Sequence, residues 1–212
     1  MHVIGLLGGT FDPVHNGHLR VALELADLVG MTSVRLVPVG VPSHREAPEA
    51  SNTQRLRMLT AASAGIALLE VDTRELERDG PSYTIDTLEA LRAELPNASL
   101  CLIIGMDQFL MLHHWHRWRE ILDFAHLCVV QRPGATADYG PEVARLLRGH
   151  EVLGPERLRT TTHGAVLLGQ VPVLDISSTR IRTLVSRRRS PDFLVPDAVI
   201  DIIKNEQLYA SS

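Results

Sequence analysis

The sequence predicts a doubly wound α/β fold, a mostly parallel sheet with helices on both faces. Short, nearly continuous apolar runs alternate with longer segments of helical period along the whole chain. Strands buried on both faces read in that unbroken way, and right-handed crossovers between them give the doubly wound arrangement. A chain of 212 residues, 45% hydrophobic and 22% charged, is long enough for one sizeable core. We therefore expect a single domain over residues 1–212, with closing helices at about 178–208.

The elements follow in order. HVIGLL reads as a first strand, and GHLRVALELADLVG as a helix with Leu19, Ala22, Leu23 and Ala26 on one face. SVRLVPVG is a second strand, and NTQRLRMLTAAS a second helix capped by Asn52 or Thr53. ALLEVD (strand), TIDTLEALRAEL (helix, ended by Pro96) and SLCLIIG (strand) come next. GMDQFLMLHHWHRWREIL is expected as one or two short helices, and HLCVVQR as a strand closed by Pro133. PEVARLLRG reads as a helix, AVLLG and VPVLD as late strands, and ISSTRIRTLVSRRR and PDAVIDIIKNEQL as closing helices. Residues 135–165 match no motif.

Composition excludes several classes. No apolar run approaches the roughly 20 residues of a membrane-spanning helix, so no membrane partner is expected. MHVIGLLGGT lacks the basic region and cleavage site of a signal peptide. Cys101 and Cys128 sit in strand-like segments and read as small buried hydrophobes of a reducing, cytoplasmic protein. A formal net charge of −4 argues against a nucleic-acid partner. The Arg187–Arg189 run is expected as a solvated helix end, where cations suit the dipole. Homo-oligomerisation is left open.

The connection GGTFDPVHNGH, residues 8–18, follows the first strand, a place where this fold class holds ligands. Neither G-x-G-x-x-G nor G-x-x-x-x-G-K-[ST] fits it. Gly8 and Gly9 let backbone N–H groups approach a ligand, and Asn16-Gly17 allows a tight turn before a helix beginning near His18. Free N–H donors and a partial positive charge at that helix start suit a phosphate, with His15 and His18 as added donors. Two histidines with Asp12 as the only nearby carboxylate make a poor metal site, and no metal ligand is assigned. Adjacent histidines on a helix point in different directions, so at most two of His113, His114 and His116 could converge, and the triplet is expected at a solvated or pocket rim.

GGTFDPVHNGH resembles the GGxFDPxHxGH signature of the nucleotidyltransferases that transfer AMP or CMP, and ISSTRIR, residues 176–182, resembles their second signature, ISSTxIR. PVGVPSHREAP, DGPSYTIDTLEALR and IIGMDQFLMLHHWHRW further resemble segments of the bacterial nicotinate-nucleotide adenylyltransferases. The five motifs stand in family order between about residue 3 and residue 205.

That resemblance implies transfer of AMP from ATP to nicotinate mononucleotide, giving deamido-NAD and pyrophosphate in NAD biosynthesis. It implies catalytic roles for His15, His18 and Arg182. An ATP site of Gly8, Gly9, Thr10, Phe11, His15, His18, Ile176, Ser177, Ser178 and Arg182 follows from it. A nicotinate mononucleotide site of His44, Arg45, Tyr83, Thr84, Asp107, Trp115 and His116 follows likewise, with Trp115 under the pyridine. Mg2+ is expected to arrive with ATP, since no dedicated carboxylate cage is visible. Three alternatives stay open: a transferase using nicotinamide mononucleotide or another phosphate acceptor, a non-catalytic nucleotide-binding module, and a metal hydrolase built on His15 and His18.

Overall fold

A computed structural model describes residues 1–42, 47–131 and 138–210. The chain begins with β1 (Val3–Gly9), α1 (Asn16–Val29), β2 (Ser33–Pro38), α2 (Asn52–Ser63) and β3 (Leu69–Val71). It continues through α3 (Arg74–Glu77), α4 (Thr84–Glu94), β4 (Ser99–Gly105), α5 (Met106–Leu110), α6 (Ile121–Phe124) and β5 (His126–Gln131). The last elements are α7 (Pro141–His150), β6 (Glu151–Val152), α8 (Glu156–Thr160), β7 (Val166–Gln170), α9 (Ser178–Ser186) and α10 (Asp197–Asn205). The strands form one sheet in the order β3-β2-β1-β4-β5-β7-β6. Strand order reverses at β1, with β2 on one side and β4 on the other, as a doubly wound sheet requires.

Packing divides the described residues into two compact units. The first draws on 1–8, 21–35 and 83–172, and the second on 9–20, 36–82 and 173–212. In the first, β1 pairs with β4 (Val3 opposite Ser99), β4 with β5 (Cys101 opposite His126) and β5 with β7 (Leu127 opposite Val166), all parallel. The pleat sends Leu100, Leu102 and Ile104 to one face, where they join Ile85, Leu88 and Leu91 of α4 in an apolar cluster. On the other face a Cβ built at Gly169 would stand 2.7 Å from Leu25, so α1 lies directly on the strands. Cys101 and Cys128 are fully buried free thiols, filling core positions as small hydrophobes. Arg92 ends α4 by donating to the carbonyls of Leu95, Ala98, Phe124 and Thr162.

In the second unit α2 carries Arg55, Met58, Leu59 and Ala62 on its buried face. Its cap is Ser51, one residue before the expected Asn52 or Thr53. The Ser51 hydroxyl accepts from Gln54 N–H, while the Gln54 side chain accepts from Ser51 N–H. Ser177 caps α9 by accepting from Arg180 N–H at 3.2 Å.

Several expectations need correction. VPVLD is not a strand: β7 stops at Gln170, and Pro172 has no N–H with which to extend the ladder. The segment expected as one or two helices splits into α5, α6 and two 3₁₀ turns at Leu112–His114 and Trp118–Glu120. Arg117, at φ +49°, interrupts any continuous helix there. On α1, Leu25 and Val29 are buried and Leu23 only half-buried, shifting the apolar stripe by part of a turn. The short α3, α8 and β6 lie below any periodicity signal.

Candidate functional site

The connection after β1 builds its centre from two histidines that hold each other. His15 N–H donates to His18 Nδ1 at 3.2 Å, and His18 N–H donates to His15 Nδ1 at 3.3 Å. The rings stack with centroids 3.6 Å apart and planes 20° apart, and Phe11 meets His18 edge-on at 5.0 Å. Because each Nδ1 accepts a backbone hydrogen, each neutral ring carries its proton on Nε2. Burial pushes His15 down to about 4, against a smaller upward effect of its backbone bond. Burial, and then the neighbouring His15, hold His18 well below the ordinary histidine value. At neutral pH the pair is uncharged and presents two Nε2–H donors.

The backbone explains the motif's small residues. A Cβ at Gly8 would meet nothing within 4 Å, leaving its backbone open to approach. A Cβ at Gly17 would stand 3.0 Å from His15 Nδ1, so glycine there makes room for the histidine pair. Neither Asn16 nor Gly17 has positive φ, and Phe11 takes the left-handed conformation at φ +50°. The helix start is also less open than expected. Asn16 N–H is engaged by Leu194 O, and the His18 and Leu19 N–H groups return to His15 O. Donors at this site are therefore chiefly the imidazoles and the guanidinium of Arg182.

Arg182, on α9, donates from Nε to Glu49 Oε1 at 2.6 Å and from Nη1 to Asp12 O at 2.8 Å. Ser178 Oγ donates to Pro13 O at 2.9 Å, tying the start of α9 to the same loop. Ile176 is half-buried, 3.6 Å from where a Gly17 Cβ would be. Thr10 is anchored by a residue that the motifs do not flag. Arg55 is wholly buried; it donates to Thr10 O at 2.6 Å, to Val39 O at 2.6 Å and to Asn52 Oδ1 at 2.7 Å. A signal for it exists in the sequence, an arginine at a core position of the α2 period. Glu49 and Tyr209, whose hydroxyl donates to Asp12 Oδ1 at 2.7 Å, carry no such signal. Thus His15, His18, Arg182, Ser177, Ser178 and Ile176 gather in the second unit around one loop. Arg187 and Arg189 are exposed and, with Ser177 and Arg180, line a cleft of about 440 Å³ along α9.

The first unit holds the other predicted set. Tyr83 precedes α4, whose first residue is Thr84, and its ring lies 4.4 Å from that of His116. Tyr83 and Trp115 are half-buried and pack against the same apolar cluster. Thr87 is buried within α4. Asp107 is exposed in the first turn of α5, with Gln108 Nε2 donating to it at 3.3 Å. The His113 and His114 rings lie 3.9 Å apart while His116 turns to Tyr83, so two of the three come together and the third does not. Among the described residues no three His, Cys, Asp or Glu side chains converge on a metal-sized point. His44 and Arg45 lie outside the described residues. Among those described, no helix is long and apolar enough to cross a membrane.

Comparisons with known proteins bear on the family and the fold of the chain. The cytidylyltransferase-like family model matches residues 6–184. A protein of Aeromonas hydrophila, named "Probable nicotinate-nucleotide adenylyltransferase", is 47% identical over 206 residues, covering 97% of this chain and 96% of its own. A Methylococcus capsulatus protein of the same name is 44% identical over 98% of this chain and 100% of its own. The solved structure of Plasmodium falciparum nicotinic acid mononucleotide adenylyltransferase complexed with NaAD superposes with a TM-score of 0.73. It covers 99% of this chain and 98% of its own at 18% identity, a likeness of fold alone.

Proposed function

The chain belongs to the cytidylyltransferase-like family and, within it, to the nicotinate-nucleotide adenylyltransferases, and we propose that it transfers AMP from ATP to nicotinate mononucleotide. The products are deamido-NAD and pyrophosphate. The observation that carries the mechanism is the reciprocal His15–His18 pair, two neutral rings with Nε2–H donors fixed by backbone bonds.

A 5′-phosphate oxygen of nicotinate mononucleotide attacks the α-phosphorus of ATP. The bond from that phosphorus to the β-bridging oxygen breaks, and pyrophosphate leaves with the electron pair. The nucleophile is already an anion, so no general base is required and no covalent enzyme intermediate forms. Catalysis is positioning and stabilisation of phosphoryl charge. His15 and His18 donate to the phosphates around the reacting centre. Arg182 holds the β/γ end, exchanging its Glu49 partner for phosphate, with Ser177 and Ser178 at the capped start of α9. The backbone of Gly8, Gly9 and Thr10, beside Phe11 and Ile176, receives the rest of the nucleotide. Trp115 and Tyr83 offer aromatic surface to the pyridine, and Thr84 and His116 lie beside the carboxylate. Asp107 either meets substrate hydroxyls or organises its loop, and His44 and Arg45 meet the incoming phosphate. Mg2+ enters as MgATP, its charge offsetting that of the triphosphate. The reading sets the reaction in the reducing cytoplasm, supported by two buried free thiols.

The test is pyrophosphate release from MgATP with and without nicotinate mononucleotide, with the dinucleotide identified by mass. Release that depends on the acceptor and matches dinucleotide formation is expected; acceptor-independent hydrolysis, or none, contradicts the reading.

A further inference from the structure

Asp12 joins separate segments of the second unit around one carboxylate. It is 3% exposed. Oδ2 accepts Glu49 N–H at 2.8 Å, and Oδ1 accepts Ala50 N–H at 3.2 Å and the Tyr209 hydroxyl at 2.7 Å. Glu49 in turn accepts from Arg182 Nε, and Arg182 Nη1 donates back to Asp12 O, closing a ring of three residues. Arg182 Nη1 stands 3.9 Å from Asp12 Oδ2, just beyond hydrogen-bond reach.

Tyr209 reaches this ring from the far end of the chain, and the fold accommodates it at some conformational cost. Gln207 and Tyr209 both take left-handed backbone, at φ +52° and +60°, a region unfavourable to residues with a Cβ. Leu208 N–H closes the end of α10 on Ile203 O, and Arg57 of α2 pairs with Glu206. The turn buries the Tyr209 ring to 9% exposure with its hydroxyl on Asp12. Burial, the bond to Asp12 and that carboxylate's charge all raise the phenol above its usual value, so it remains a donor. Without that donor Oδ1 would keep only the longer Ala50 bond. The carboxylate, with Oδ2 still held by Glu49 N–H and standing 3.9 Å from Arg182, could then turn about that bond towards the guanidinium and compete with a phosphate for it.

We propose that Tyr209 is a positioning residue of the ATP site: its hydroxyl holds the Asp12 carboxylate away from Arg182, keeping that guanidinium available to the triphosphate. The proposal rests on the adenylyl-transfer reading for the role of Arg182.

The test is a double-mutant cycle of Tyr209→Phe and Arg182→Ala, read by calorimetric titration of MgATP and by steady-state kinetics. Tyr209→Phe retains the ring. It should weaken MgATP binding about tenfold, the size of coupling found within one hydrogen-bond network, and change KM for nicotinate mononucleotide less than about twofold. In the Arg182→Ala background the same change should weaken MgATP no further. A merely packing role would instead lower the melting temperature and leave the MgATP Kd of the folded protein unchanged. An unchanged Kd, or full additivity in the cycle, overturns the proposal. Wild-type protein that binds MgATP but does not adenylylate nicotinate mononucleotide contradicts the functional reading alone, since the binding cycle still decides the role of Tyr209.

Discussion

His18 has two nitrogens with separable work, and two substitutions divide them. Asparagine sets an amide oxygen near the position of Nδ1 and has nothing near Nε2; glutamine does the reverse. In the structure Nδ1 accepts His15 N–H, whereas Nε2–H is the donor assigned to the reacting phosphates. His18→Asn should therefore keep the backbone bond and lose the donor. Removing one preorganised donor at a developing anion costs about 10²–10³ in kcat, or roughly 3–4 kcal/mol. Its stability cost is smaller, on the order of 1–2 kcal/mol, from the lost stack on His15 and the edge contact with Phe11. For a chain of this size that is a fall of about 2–8 °C in melting temperature. His18→Gln should show the opposite profile. It retains more of kcat, but leaves His15 N–H without its ring partner, costing about 1–3 kcal/mol of stability. Pyrophosphate release at saturating substrates and thermal melts on the same preparations read both. A His18→Asn enzyme within about threefold of wild-type kcat would refute the donor role.

Other perturbations test the supports of the site. Burial pushes His15 and His126 down to about 4 and holds His18 well below its ordinary value. The unfolded chain takes these protons more readily, so the stability the neutral rings confer is full above about pH 6.5 and is lost as pH falls towards 4. For fully buried His126 alone that is on the order of 3 kcal/mol. Urea midpoints that are flat between about pH 7 and pH 4.5 would count against neutral buried imidazoles. Arg55→Met keeps volume but strips donors from Thr10 O, Val39 O and Asn52, and should cost about 3–5 kcal/mol by urea denaturation. A cost under about 1 kcal/mol would show that the arginine does not anchor the loop. Gly8→Ala meets open space, so its melt should match wild type while KM for MgATP rises about tenfold. An unchanged KM would remove the nucleotide from that backbone.

The parts of the site legible in sequence are those whose chemistry is local. GGTFDPVHNGH carries its glycines and histidines in one short connection, and ISSTRIR combines a cap with an arginine about one turn on. The alternating apolar runs likewise mark β1, β2, β4 and β5 closely, because continuous burial leaves a continuous pattern. What escapes the sequence is long-range. Tyr209 and Asp12 are 197 positions apart, and neither is unusual in its own segment. The tautomer of the histidine pair is a property of backbone bonds that exist only once α1 has formed. VPVLD has the composition of a strand, yet the proline at its second position removes the donor a ladder needs. Arg55 is the intermediate case, a residue type that usually faces solvent at a helical position that points inward.

The identity of the acceptor is decided by one competition. Purified protein, MgATP and equal concentrations of nicotinate mononucleotide and nicotinamide mononucleotide should yield deamido-NAD in excess over NAD, in proportion to the two kcat/KM values. Product that is mainly NAD, or no dinucleotide from either acceptor, would contradict adenylyl transfer to nicotinate mononucleotide.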